Sequence, residues 1–107
     1  MSAEFTVRFE GRSWYAAHLQ EIRRKIAGLS TCSDALREIE FRLMGAEPRH
    51  PHDWDYDARL ILEKERILVE VSAHPPSIEA ELSAFFRWIK LRTEISIDDE
   101  DGVPSNW

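Results

Sequence analysis

A single cysteine, Cys32, stands in the 107 residues, so the chain can close no disulfide within itself and offers no cysteine pair for a zinc site. Cys32 also lacks a neighbouring base and orienting group, which leaves it a small core or half-buried residue rather than a nucleophile. Glycine is scarce too. The four glycines, at positions 11, 28, 45 and 102, all fall where the hydrophobic pattern changes, so none belongs to a phosphate-cradling loop. No apolar run approaches the roughly 20 residues that a membrane helix requires. Met1 to Phe5 carries neither a basic nor an apolar leader segment, and a cytoplasmic protein is expected. Nucleophile elbow, zinc-protease helix and dinucleotide fingerprint are all missing. No enzyme activity and no cofactor are expected.

What is present suits one folded domain with one core. Hydrophobic residues make up 43% of the chain and include four tryptophans, which excludes a disordered polymer. Net charge is −6, and Asp98, Asp99, Glu100 and Asp101 supply four of the negative charges. Without them sixteen acidic residues face fourteen basic ones, a nearly balanced body with an acidic end. Backbone phosphates would be repelled by such a surface, so a basic protein is a better partner than nucleic acid. The same charge would also serve simply to keep a small protein in solution.

The stretch from Trp54 to Ser72 organises the rest. Trp54, Tyr56, Ala58, Leu60 and Leu62 alternate with Asp55, Asp57, Arg59, Ile61 and Glu63. After Lys64 and Glu65 the alternation resumes through Ile67, Val69 and Val71, which predicts a β-hairpin. Upstream, Phe5, Val7 and Phe9 alternate with Thr6, Arg8 and Glu10 in a first strand. A helix capped by Ser13 follows, with Tyr15, Leu19, Ile22, Ile26 and Leu29 along one stripe. Leu36, Ile39 and Leu43 form a second stripe that predicts a helix from Asp34 to Met44, closed by Gly45. Downstream, Ser77 is the expected cap of a third helix whose stripe is Ile78, Leu82, Phe85 and Ile89, with Phe86 flanking. Residues 94–98 form a short last strand.

The order strand, helix, helix, strand, strand, helix, strand predicts an α+β fold. It is a four-stranded antiparallel sheet with helices on one face, the ferredoxin-like split β-α-β arrangement. Residues 1–97 make the domain and 98–107 an acidic C-terminal tail. The uncovered face displays Thr6, Arg8, Glu10, Asp55, Asp57, Arg59 and Glu70, while Trp54 and Tyr56 lie under the helices.

Asp53, Asp55 and Asp57 have the spacing that opens a calcium loop. Ala58 stands where that loop needs glycine, and Lys64 where it needs a closing glutamate, so calcium is not expected. The three carboxylates are then either a solvated strand start or an electrostatic docking strip. His50 and His52 beside Asp53 are weak candidates for a transition metal and equally read as ordinary loop residues; no metal is expected. RNA binding on an open sheet needs outward aromatics, whereas Phe5, Val7 and Phe9 share one face and the outward residues are charged. Trp107, at the end of the acidic segment, is either part of a frayed tail or an interface anchor beside charges that steer a basic partner.

In size, acidity and lack of catalytic motifs the chain resembles the small immunity proteins of bacterial toxin systems, of contact-dependent inhibition or colicin type. The resemblance is one of general character over the whole chain. It implies a non-enzymatic inhibitor of a cognate toxin, with a nuclease as the natural target because its active site must be positive to hold phosphates. Asp53, Asp55, Asp57 and Asp98 to Asp101 would form the contact, with Trp54 or Trp107 as anchor. The alternative is a small-ligand or metal-binding regulatory module that self-associates through its open sheet face, burying Ile61 and Leu68. A monomer or weak dimer is expected.

Overall fold

A computed structural model describes residues 3–36, 39–48, 56–72, 75–105 and 107. The described elements run β1 (Ala3–Phe9), α1 (Arg12–Ala17), α2 (Leu19–Ala27), β2 (Cys32–Leu36), β3 (Glu40–Leu43), β4 (Ala58–Leu62), β5 (Arg66–Val71), α3 (Pro76–Lys90) and β6 (Ile95–Asp99). The strands form one open antiparallel sheet in the order β2-β3-β4-β5-β1-β6. An α+β fold is therefore present, with six strands in place of the expected four.

The difference lies between Asp34 and Met44, where the expected helix is a β-hairpin. Its proposed stripe does not hold together as a face, because Leu43 is fully buried while Ile39 is 41% exposed. Phe41 and Leu43 instead point inward on alternate positions of β3, with Glu40 and Arg42 between them. Pairing with β4, Phe41 opposite Leu60 and Leu43 opposite Ala58, gives this segment both backbone partners and a core. A helix would have satisfied its own backbone but left that edge of β4 without a strand partner.

The first helix is also divided. Its stripe is placed as expected, with Tyr15, Ile22 and Ile26 buried and Leu19 and Leu29 packed against the core. At His18, however, the backbone leaves helical geometry (φ −112°, ψ 16°). The His18 ring lies flat on Trp14 with centroids 4.4 Å apart, and its Nδ1 is 2.8 Å from the Trp14 carbonyl oxygen. Gly11, not Ser13, occupies the cap position of α1.

In α3 all five expected residues, Ile78, Leu82, Phe85, Phe86 and Ile89, are buried. Its cap is Pro75 and its first residue Pro76, whose fixed φ and missing N–H suit a helix start. Ser77 sits one position further in.

Every helix packs on the sheet face that carries Val7, Phe41, Leu60, Ile67, Val69 and Ile97. Among the described residues no helix packs on the opposite face. Across it Arg59 faces Glu70 on β5 and Arg42 on β3, and Ile61 faces Leu68 and Glu40.

Candidate functional site

At one end of the sheet β1 and β4 begin and β5 and β6 finish, as Ala58 faces Val71, Val71 faces Ala3 and Asp99 faces Phe5. Most of the expected contact residues that are described fall at this end. Asp53, Trp54 and Asp55, with the metal candidates His50 and His52, lie outside the described residues.

Asp57 does not join an outward row. Its side chain is buried, and Oδ2 accepts the Gly45 amide proton at 2.7 Å, while its own amide donates to the Leu43 carbonyl at 2.8 Å. This bend just before β4 breaks the period-two alternation. Tyr56 is consequently not under the helices: its ring lies beside the guanidinium groups of Arg42 and Arg59, at 4.8 and 5.8 Å, on the open side.

Those two arginines belong to a paired network. Arg59 binds Glu70 through two hydrogen bonds, of 3.0 and 2.9 Å, and reaches Glu40 at 3.5 Å; Arg42 binds Glu40 at 3.0 Å. The Glu70 contacts, which favour the charged guanidinium, push the Arg59 pKa up. Glu40, Arg42, Arg59 and Glu70 thus neutralise one another on this face along β3, β4 and β5.

The described residues of 98–107 lie against the sheet. Asp98 and Asp99 complete β6, the chain turns through Gly102 at φ 78°, and it folds back along the edge. Asp98 bridges to Pro104, and the Ser105 amide donates to the Ile97 carbonyl. Asp99 Oδ1 closes the turn by accepting the amide protons of Asp101 and Val103 at 2.9 and 3.0 Å. Asp98 lies 3.6 Å from Arg8. Glu100 and Asp101 are left exposed at the tip. Trp107 turns inward and stacks on Phe5 at 5.3 Å and against Phe86 at 4.9 Å, with its carbonyl oxygen held by Lys90.

Two further carboxylates, Glu47 and Glu81, gather near the N-terminus of α3, and neither is among the expected contact residues. Glu47 accepts the amide and hydroxyl protons of Ser77, so a loop carboxylate rather than a local side chain satisfies the first turn of the helix. Glu81 Oε1 accepts the Ser30 hydroxyl and, at 3.1 Å, the Thr31 amide. These bonds favour the ionised forms: the Ser77 hydroxyl leads in lowering the Glu47 pKa, and the Ser30 hydroxyl in lowering that of Glu81. The long separations in sequence, 30 and 51 residues, hid both contacts.

Asp57 and Asp99 stand three strand spacings apart, roughly 14 Å across the sheet, and are offset along the strands as well. Glu100 and Asp101 of the acidic turn, with Glu4, Glu47 and Glu81, give this end an acidic pole. Two basic groups gather elsewhere, Lys25 and Arg92 both lying against the Trp88 ring, at 5.7 and 4.4 Å from its centroid. Among the described residues no three His, Cys, Asp or Glu side chains are placed to hold a metal ion, and no helix is long and apolar enough to cross a membrane. Comparison with protein-family models, curated proteins and solved structures finds no match to this chain.

Proposed function

We propose that the protein is a non-enzymatic inhibitor that docks its acidic pole on a basic protein, as a cytoplasmic immunity protein does on a bacterial toxin, with a nuclease as the fitting target. The observation that carries this reading is the braced turn at 98–101. Asp99 is used to hold the turn, and Glu100 and Asp101 are presented on a fixed support. A preorganised acidic tip accelerates encounter with a positive surface and loses little entropy on binding. The fold is read with it as a ferredoxin-like sheet lengthened at one edge. The neighbours β6-β1-β5-β4 keep the split β-α-β order, and β2 and β3 are added beyond them.

Growth rescue tests the proposal. The C-terminal domain of the protein encoded immediately upstream is expressed with and without this chain. Growth arrest relieved by the wild type, and no longer relieved by the Glu100→Lys/Asp101→Lys variant, is the expected outcome. A domain that does not arrest growth, or equal rescue by the charge-reversed variant, overturns it.

One observation favours self-association as a second reading. Ile61 and Leu68 face each other on the open sheet and are only half-buried there. Light scattering on a size-exclusion column decides it, since a tight dimer that Ile61→Glu dissolves is what this reading requires.

A further inference from the structure

Charge is balanced differently on the two layers. Each of the four arginines in the strands has a carboxylate beside it, Arg8 with Asp98, Arg42 with Glu40, Arg59 with Glu70 and Arg66 with Glu63, at 3.6, 3.0, 2.9 and 2.6 Å. On α2 and α3 the exposed cations Lys25, Arg87 and Lys90 have no carboxylate partner among the described residues, and Arg92 beside them reaches only Glu21, at 3.7 Å. An apolar spot lies among these cations. Trp88 is half-buried, and Leu91, one helical turn beyond Trp88 and Arg87, is 78% exposed, more than any other large hydrophobic side chain that is described. The acidic turn has the opposite charge and its own apolar group. Glu100 and Asp101 are exposed without an ion pair among the described residues, and Val103 next to them is 54% exposed. Within one molecule the length of β6, about 13 Å, separates the turn from the helical patch.

We propose that the acidic turn of one copy of this chain docks on the Trp88–Leu91 patch of a second copy. Val103 then covers Leu91 and the Trp88 ring, while Glu100 and Asp101 meet Lys25 and Arg87, cations that the molecule itself leaves without a carboxylate. A tryptophan with arginine against it and charges around it has the composition of a contact hot spot. The two surfaces differ, so the contact runs head to tail and leaves a turn free at one end of the pair and a patch at the other. A net charge of −6 opposes association, but it is spread over a body of 42 × 28 × 21 Å. At 0.1 M salt the Debye length of about 10 Å screens most of that repulsion, whereas ion pairs closed at a contact are screened much less. Exposed ion pairs contribute under about 1 kcal/mol each, so a Kd on the order of 1 mM is expected.

Sedimentation equilibrium of the intact chain tests the contact. Between about 0.02 and 1 mM at 0.1 M salt the weight-average mass should rise roughly twofold, and 1 M salt, where the Debye length falls to about 3 Å, should abolish the rise. Glu100→Lys/Asp101→Lys should stay monomeric, and so should Lys25→Glu/Arg87→Glu. All four side chains are exposed, so both variants keep the fold. An equimolar mixture of the two variants should associate again, because each offers the charge that the other's unaltered surface needs. Amide NMR on dilution of the wild type should shift two separate places, residues 100–103 and residues 87–92. A mass that stays constant with concentration, a rise that survives 1 M salt or either charge reversal, a mixture that stays monomeric, or shifts centred on Ile61 and Leu68 overturns the contact. The turn is also the one offered to the basic partner, so the two contacts exclude one another. Both surfaces of the self-contact belong to this chain, and the sedimentation result stands whatever the growth rescue shows.

Discussion

Tyr15 joins the helical layer to the tip of the β4–β5 hairpin, its hydroxyl donating to the Glu63 carbonyl at 2.7 Å and to that of Arg66 at 3.3 Å. Burial disfavours the phenolate and pushes the pKa from 10.0 up to about 12. Because the folded value is raised, the stabilisation is complete below pH 10 and is lost as pH rises through about 12. Phenolate absorbance should therefore show a late ionisation with a midpoint near 12 that Tyr15→Phe removes. The same substitution should cost about 1 kcal/mol in urea unfolding at neutral pH. A tyrosine titration unchanged by the substitution would contradict the buried hydroxyl. Tyr15 was legible in sequence because it sits on a helical stripe. Asp57 was not, because what turns its carboxylate inward is the amide of Gly45, twelve residues away.

At the scale of elements, the segment 34–44 separates local pattern from tertiary pairing. Leu36, Ile39 and Leu43 recur at helical spacing, yet Phe41 and Leu43 recur at strand spacing in the same few residues. The exposed pairing edge of β4 decides between them, since a strand there gains a ladder partner that the local sequence does not reveal. The two readings assign opposite roles to neighbouring side chains. Phe41→Ala should cost roughly 3 kcal/mol, since the ring is 2% exposed. Ile39→Ala should cost under about 1 kcal/mol. A helix would reverse that order, so denaturation of the two variants distinguishes hairpin from helix directly. The β4–β5 hairpin and α3 were legible because each carries one unambiguous period over many residues. Alternation in β4 and β5 and the stripe from Ile78 to Ile89 agree with what their neighbours require.

At the scale of the whole molecule, the described residues after β6 cover one edge of the sheet. The outer edge of β6 is covered by the returning segment, whose Pro104 bridges to Asp98. A covered edge resists pairing with other chains. What fastens that segment is Trp107, whose indole joins Phe5 of the sheet to Phe86 of α3. The sequence left Trp107 open between frayed tail and interface anchor, because a terminal aromatic beside four carboxylates carries no period from which its direction can be read. Trp107→Ala separates an inward clasp from either alternative. Loss of two ring contacts and the attached strand cover should cost about 2 kcal/mol. In a domain of this size that lowers the melting temperature by on the order of 10 °C. It should also speed hydrogen exchange at the Asp99 and Ser105 amides, whose partners lie on opposite sides of the β6 edge. A frayed or outward tryptophan would leave both the melting temperature and that exchange unchanged.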